Sequence, residues 1–149
     1  MDDGVRVLFT RLHPDAKPPM KGSASAAGWD LRTVEKCEIK KGESTKVPTG
    51  LAVAIPIGYE GQVRARSSLG AKGIILPNGI GTIDADYRGQ IHVLMTWIGE
   101  GDSTIIEAGE RVAQMVISPI PVVNFVEVDE NQLGETERGA GGFGSTGRY

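Results

Sequence analysis

The sequence predicts an all-β fold, a sandwich or jelly roll built from short strands. Of the 149 residues, 21 are glycine and 8 are proline, and glycine is therefore about twice as frequent as its usual ~7%. At least eight short strand-like segments follow one another at close spacing, and no segment has a long helical period. A chain of this length is expected to form one domain with a substantial core.

The first half of the chain predicts strands separated by turns. Val5, Val7 and Phe9 recur at every second position, which is the period of a strand. Three prolines make residues 13–21 a loop. At residues 28–31 an aromatic and an apolar residue bracket Asp30, and further strands are predicted at residues 38–40, 51–55 and 62–66.

The second half predicts the only helix and the remaining strands. The helix covers residues 67–73, with Ser67 as its N-cap and Gly73 as its end. Residues 81–91 are typical of a β-hairpin, because polar residues at 86–89 supply a turn. Later strands are predicted at 92–98, 103–106, 111–117 and 122–128.

The last stretch differs in kind from the rest. Residues 138–149 include five glycines and have few side chains to bury, so they predict a flexible arm. We therefore divide the chain into a β domain at 1–137 and a C-terminal lid at 138–149.

Composition excludes several kinds of partner. The net charge is −3, which gives no basic surface for nucleic acid, although a small phosphorylated ligand needs only a few arginines. The single cysteine, Cys37, has no partner for an internal disulfide. The longest uncharged run, 112–126, is interrupted by two prolines and is shorter than the ~20 residues of a membrane span. The acidic start, residues 1–3, does not resemble a signal peptide, and we expect a cytoplasmic protein.

Residues 84–88 form the most promising local group for chemistry. They place two carboxylates, Asp84 and Asp86, beside Tyr87 and Arg88. Such a loop can fix a carboxylate and present a ring to a flat ligand, although a solvated loop tip has the same composition. No cluster of histidine or cysteine accompanies the carboxylates, so we expect Mg²⁺ held mainly by a ligand's phosphates rather than a protein-only metal site.

Two other stretches could bind phosphate. Arg66, Ser67 and Ser68 combine a cation with two hydroxyls, and the alternative is a helix cap beside a surface arginine. Glycines at 139, 141 and 144 match a dinucleotide-binding pattern, but no helix can follow them in the five remaining residues. Backbone amides of this tail could still cradle an anion, and the alternative is a disordered tail.

Five segments, taken together and in order, resemble the five motifs of the trimeric dUTPases, the deoxyuridine triphosphate nucleotidohydrolases. The resemblance spans nearly the whole chain and implies a jelly-roll subunit, a homotrimer with shared active sites and a C-terminal lid. It also implies hydrolysis of dUTP to dUMP and pyrophosphate with Mg²⁺, which keeps uracil out of DNA and supplies dUMP for thymidylate synthesis. The segments are AGWDL at 27–31, RSSLGAKG at 66–73, GTIDADYRG at 81–89, GERVAQ at 109–114 and RGAGGFGSTG at 138–147.

The resemblance also implies a role for individual residues. Asp84 matches the general base that activates the attacking water, Tyr87 the ring beneath the deoxyribose, and Asn78 the group that reads the uracil edge. Asp30 matches an aspartate near the metal. The implied phosphate and lid contacts are Arg66, Ser67, Ser68, Gln114, Arg138, Phe143, Gly144 and Ser145, with Arg138 on the γ-phosphate and Phe143 stacked on uracil.

Two positions depart from the family pattern, and two other functions remain open. Trp29 stands where the family usually has tyrosine, and Ser68 where it usually has glycine, which bears on substrate affinity more than on the reaction. A dCTP deaminase shares the fold and an Arg-Ser-Ser stretch, but it does not need this loop aspartate together with a Gly-Phe-Gly lid. A jelly-roll binding module without chemistry does not need five spaced motifs.

Overall fold

A computed structural model describes residues 4–149 and confirms the all-β prediction. Residues 1–3, which contributed to the expectation of no signal peptide, lie outside this part. The described strands are β1 (Leu8–Arg11), β2 (Trp29–Arg32), β3 (Cys37–Lys40), β4 (Thr45–Pro48), β5 (Leu51–Ala54), β6 (Tyr59–Arg64), β7 (Ile74–Ile75), β8 (Gly81–Ile83), β9 (His92–Trp97), β10 (Ser103–Ile106) and β11 (Arg111–Pro119). Helix α1 spans Ser67–Lys72, and a 3₁₀ turn spans Glu130–Leu133.

The strands pair across long sequence distances in four small sheets. One sheet has the order β2-β11-β6-β8, a second has β4-β9-β7, and the pairs β1-β5 and β10-β3 form the other two. All of these pairs are antiparallel. Strand β11 therefore lies beside both β2 and β6, and it joins motifs that are far apart in sequence.

The core is built from one face of each strand. In β9, Val93, Met95 and Trp97 are buried, whereas the intervening His92 and Leu94 point to the other face. The period of two therefore separates a core face from a face that is available for a site. Leu31, Ile39, Leu51 and Ile106 bury their side chains in the same core.

The predicted helix is present, but its N-cap differs from the prediction. Ser67 is the first helical residue, and the N-cap is Arg66, which makes no side-chain capping hydrogen bond. Gly73 ends the helix with φ +115°, in the left-handed region that favours glycine. A Cβ at Gly73 would also lie 2.7 Å from the backbone nitrogen of Gly99, so two constraints require glycine there.

The predicted hairpin at residues 81–91 is wrong. Strand β8 pairs with β6, and β9 pairs with β4 and β7, so the two strands that flank the loop lie in different sheets. The turn residues do form a tight loop, but it crosses between sheets. Local turn chemistry could not reveal this, because the partner of each strand is distant in sequence.

The predicted strand at residues 122–128 is also wrong within this single chain. Val122 is 94% exposed and Phe125 99% exposed, and the segment pairs with no described strand. Strand β1 begins at Leu8, later than the alternation from Val5 suggested. The alternating pattern identifies a segment suited to a sheet, but a strand also needs a neighbour whose backbone it can pair with.

Candidate active site

A cavity of about 300 Å³ surrounds Asp84 and contains three of the predicted site residues. Asn78, Asp84 and Tyr87 all line it, together with strand residues of β4, β6, β8 and β9. We call it the Asp84 cavity. The loop that carries Asp84 lies where β8 leaves one sheet, and the outward face of β9 forms the opposite wall. Asn78 lies six residues before Asp84 and Tyr87 three residues after it, so one stretch of chain supplies all three, and distant strands supply the rest of the wall.

Hydrogen bonds within the loop fix the ring of Tyr87. Its backbone N–H donates to the Asp84 carbonyl at 3.1 Å, and its hydroxyl donates to the Gln90 carbonyl at 2.8 Å. Arg88 donates from Nη1 to the carbonyl of Ala85 at 2.6 Å. A Cβ on Gly89 would lie 2.5 Å from the Tyr87 hydroxyl oxygen, so glycine leaves room for the ring.

The end of the loop is anchored to the start of β5. The Gly50 N–H donates to Gln90 Oε1 at 2.9 Å, and the Ile91 N–H donates to the Leu51 carbonyl at 2.8 Å. The carboxylate of Asp84, by contrast, is exposed and has no hydrogen-bond or salt-bridge partner within residues 4–149. The backbone is therefore held while the carboxylate stays free to accept a proton.

A second cavity, of about 530 Å³, lies between β2, α1 and the start of β11, and we call it the cationic cavity. Four positive side chains and one negative side chain line it, which gives a local charge of +3 on a chain whose net charge is −3. The charged residues are Arg32, Arg66, Lys72, Arg111 and Glu110. Of the predicted phosphate contacts, Arg66 and Ser68 line this cavity. Such a charge favours an anion.

Asp30 and Gln114 lie beside the cationic cavity rather than in its wall. They are opposite one another in the pairing of β2 with β11. The Asp30 carboxylate is 3.5 Å from Arg111 Nη1, and Gln114 Nε2 donates to the Ala65 carbonyl at 3.3 Å. A Cβ on Gly28 would lie 2.5 Å from Gln114 Oε1, so the glycine of the first motif leaves room for the glutamine of the fourth. Ser67 is exposed at the first position of α1.

The predicted lid residues lie away from both cavities in this single chain. Arg138, Phe143, Gly144 and Ser145 are exposed and line neither cavity. Arg138 donates from Nε to the Gly141 carbonyl at 2.7 Å, so the tail folds locally on itself. Phe143 has φ +51°, which is unusual for a residue other than glycine.

The metal-binding capacity of the chain is limited. Within residues 4–149, no group of three or more histidine, cysteine, aspartate or glutamate side chains could hold a metal ion. The donor set fits a Mg²⁺ ion that takes most of its oxygen ligands from a phosphorylated ligand and water, because Mg²⁺ keeps several waters and needs few protein carboxylates.

Within residues 4–149, no helix is long and apolar enough to cross a membrane.

Fold and site together define a class: a small all-β protein with an acid-bearing cavity and a separate cavity lined mainly by cations. A family model for dUTPase matches residues 15–147. The deoxyuridine 5'-triphosphate nucleotidohydrolase of Wolinella succinogenes is 47% identical over 97% of this chain and 95% of its own length. That of Nautilia profundicola is 45% identical over 97% of this chain and 100% of its own length.

A solved dUTPase structure has the same fold as this chain. The dUTPase G164S mutant of Staphylococcus bacteriophage 80alpha, determined with dUpNHpp, superposes with a TM-score of 0.82 at 28% identity, over 96% of this chain and 99% of that one. The chain belongs to the dUTPase family.

Several residues of the two cavities were missed by the sequence reasoning. Lys46, Gln90 and His92 line the Asp84 cavity, and Arg32 and Lys72 line the cationic cavity. Lys46 and His92 meet only because β4 pairs with β9. No local pattern could have indicated that pairing, although Arg32 and Lys72 do lie within or beside motifs that the sequence singled out.

Proposed function

We propose that this chain hydrolyses dUTP to dUMP and pyrophosphate. Family membership carries the proposal, because two relatives at 45% and 47% identity over nearly the whole chain are named for this activity. The phage relative was determined with dUpNHpp, an analogue of dUTP. The cavity shared by Asn78, Asp84 and Tyr87 gives the proposal a physical location in this chain.

Asp84 is the proposed general base. Its free carboxylate takes a proton from a water molecule, whose oxygen attacks the α-phosphorus. The bond from the α-phosphorus to the oxygen that bridges to the β-phosphorus then breaks, and pyrophosphate leaves. A positioned base contributes about 10²–10⁴-fold in rate. The held backbone and free side chain of Asp84 suit this role, because the base must keep its position without being neutralised by a partner.

The rest of the Asp84 cavity suits the nucleoside. Tyr87, fixed through its hydroxyl to Gln90, lies beneath the deoxyribose, where a 2′-hydroxyl would collide with the ring. Asn78 and neighbouring backbone groups read the uracil edge. The methyl of thymine is excluded by crowding, and cytosine presents a donor where an acceptor is needed, which leaves a buried polar group unpaired.

The cationic cavity and its neighbours suit the phosphates. Arg66, Ser67, Ser68 and Gln114 supply donors, and phosphate oxygens accept from all of them. Mg²⁺ bound to the phosphate oxygens, with Asp30 nearby, would neutralise charge and favour an in-line geometry. The phosphate-binding residues of one copy would then orient the triphosphate so that its α-phosphorus faces the water held by Asp84 of a neighbouring copy.

A homotrimer with shared sites is part of the proposal. The groups proposed for the nucleoside and those proposed for the phosphates line different cavities of one chain, so neighbouring copies would complete each site. The exposed apolar segment at 122–128 supports association, because Val122 and Phe125 leave large apolar areas in water within a single chain. Size-exclusion chromatography with light scattering would give a trimer mass, and a monomer would refute shared sites.

The C-terminal segment is the proposed lid. Arg138 would contact the γ-phosphate and Phe143 would stack on uracil, while Gly144 and Ser145 contribute backbone and hydroxyl donors. These residues are exposed in the single chain, as expected of a segment that closes over a bound nucleotide. The proposed physiological role is to keep uracil out of DNA and to supply dUMP. The cytoplasmic location stays a prediction.

Pyrophosphate release tests the proposed function directly. The purified protein is incubated with dUTP, dCTP, dTTP or UTP, each with Mg²⁺ and with chelator. Release of pyrophosphate from dUTP alone, with dUMP as the other product, is the expected result. Ammonia release from dCTP would identify a deaminase, and no turnover of any of the four would identify a binding protein.

A further inference from the structure

Of the four positive side chains that line the cationic cavity, one has no hydrogen-bond or ion-pair partner within residues 4–149, and the family motifs imply no role for it. Arg32 donates from Nη1 to the Gly109 carbonyl at 2.8 Å, and Arg66 donates from Nη1 to the Arg111 carbonyl at 3.2 Å. Arg111 in turn pairs with Asp30 at 3.5 Å. Lys72, the last residue of α1, also lines the cavity, and within residues 4–149 its ammonium group has no hydrogen bond or ion pair.

The four cations of this cavity differ in mobility: the three arginines are held by contacts, whereas Lys72 is free to move. Contacts to backbone carbonyls or to a carboxylate hold the three arginines in place, so their remaining donors point in fixed directions. An unpaired lysine keeps its rotamer freedom and three donors, and it acts as a compact point charge rather than as a planar fork. A mobile point charge beside fixed guanidinium groups suits an anion whose outer end changes position or is released.

The charge of the cavity indicates what kind of anion it suits. Its net charge of +3 counts all four cations against Glu110. Asp30, which pairs with Arg111, lowers this charge to +2, so the charge favours a phosphorylated anion, and the unpaired Lys72 leaves one cation for phosphate groups beyond the first. The volume of about 530 Å³ also leaves space beyond a single phosphate group.

We propose that Lys72 binds the terminal phosphates of the nucleotide and the pyrophosphate product, and so helps the site to distinguish a triphosphate from a monophosphate. The inference rests on the proposed function, which supplies the nucleotide and the pyrophosphate. Lys72 would contact the β- or γ-phosphate, whereas the α-phosphate would be held by the motif residues. Negative charge grows on the pyrophosphate as its bond to the α-phosphorus breaks, so the contact should be at least as strong in the transition state as in the ground state.

Two other roles for Lys72 make different predictions. A lysine in the last turn of a helix interacts favourably with the helix carbonyl end, and loss of that interaction would lower the melting temperature without changing ligand affinity. Lys72 could instead pair with a carboxylate of a neighbouring copy, in which case its loss would weaken the oligomer.

The test compares Lys72→Gln with Lys72→Arg and with the control Lys36→Gln, a change at an exposed lysine that lines neither cavity. Inhibition constants are measured for pyrophosphate and for dUMP, the dissociation constant is measured for dUpNHpp, and kcat and KM are measured for dUTP. Melting temperature and oligomer mass are recorded for every variant.

Lys72→Gln is expected to weaken pyrophosphate and dUpNHpp binding about 5–10-fold, which is the usual effect of one charge-assisted contact at an accessible site. The kcat/KM for dUTP should fall by at least a similar factor, while dUMP inhibition stays unchanged. Lys72→Arg should keep most of the pyrophosphate affinity, and Lys36→Gln should behave as the unmodified protein.

Three results would overturn the inference. Unchanged pyrophosphate inhibition in Lys72→Gln would show that the lysine does not reach the terminal phosphates. Equal weakening of dUMP would place the contact on the α-phosphate instead. A loss of oligomer mass with normal affinity at high protein concentration would assign Lys72 to a subunit contact. Failure of the proposed function looks different, because the unmodified protein itself would then neither turn over dUTP nor bind dUpNHpp.

Discussion

Replacing Asp84 with asparagine removes the proposed base while keeping its size and most of its polarity. The carboxylate has no hydrogen-bond or salt-bridge partner within residues 4–149, and the loop is held through the backbone contact from the Tyr87 N–H to the Asp84 carbonyl at 3.1 Å. The substitution therefore breaks no described interaction, and stability should change by no more than about 0.5 kcal/mol, as at other surface positions.

The effect of Asp84→Asn should therefore appear in the chemical step. An amide cannot accept the proton of the attacking water, so kcat should fall by about 10²–10⁴-fold, or about 3–5 kcal/mol in activation free energy. Binding of dUpNHpp should stay the same or improve slightly, because a negative charge near the phosphates has been removed.

The assay for this prediction is single-turnover release of pyrophosphate, read beside the dissociation constant of dUpNHpp. Asp86→Asn is the matched control, since Asp86 is an exposed carboxylate in the same loop that does not line the Asp84 cavity. A kcat for Asp84→Asn within a fewfold of normal would remove Asp84 from the mechanism. An equal loss in both variants would point to the charge of the loop rather than to a base.

Three further predictions concern the lid, the loop and the core. Deleting residues 138–149 should leave a folded trimer with most of the dUTP turnover lost, because the lid acts only on bound ligand; full activity in the truncated protein would refute the lid. Gly89→Ala should raise KM for dUTP, because its Cβ would lie 2.5 Å from the Tyr87 hydroxyl oxygen, and the double variant with Tyr87→Phe tests whether that contact is responsible. Burial raises the pKa of the Cys37 thiol above its ordinary value, an effect that the Thr33 hydroxyl opposes and the Glu35 charge reinforces; iodoacetamide should therefore alkylate Cys37 slowly in the folded protein and rapidly after denaturation, and equal rates would contradict its burial. Since the folded state favours the protonated thiol, its contribution to stability is present below the thiol pKa of the unfolded chain and is lost as the pH rises through the higher folded value.

The local features of the fold were predictable from the sequence. The apolar run at 92–98 identified β9, and the period of two in a strand places Val93, Met95 and Trp97 on one buried face whatever strand lies beside them. Gly73 marked the end of α1, because the left-handed conformation at that position favours glycine. The order of five motifs identified the family, because each motif is a short local pattern.

Pairing and assembly of the site were decided only by the tertiary structure. The hairpin prediction failed because β8 and β9 find partners in different sheets, and backbone hydrogen-bonding groups carry no information about which distant strand they will meet. The strand at 122–128 failed because its apolar pattern has no neighbour within the described chain.

The same limit explains the two cavities. The sequence named Asp84 and Arg66 as candidates from their local chemistry, but their separation into an acid-bearing cavity and a cationic cavity depends on how distant strands pair. Lys72 was present in a recognised segment without an assigned role, and only the fold, which brings α1, β2 and the start of β11 to one cavity, put its charge among three arginines. Residue type and spacing determine the chemistry that a side chain can perform. The long-range pairing of strands determines which other side chains lie beside it in a site.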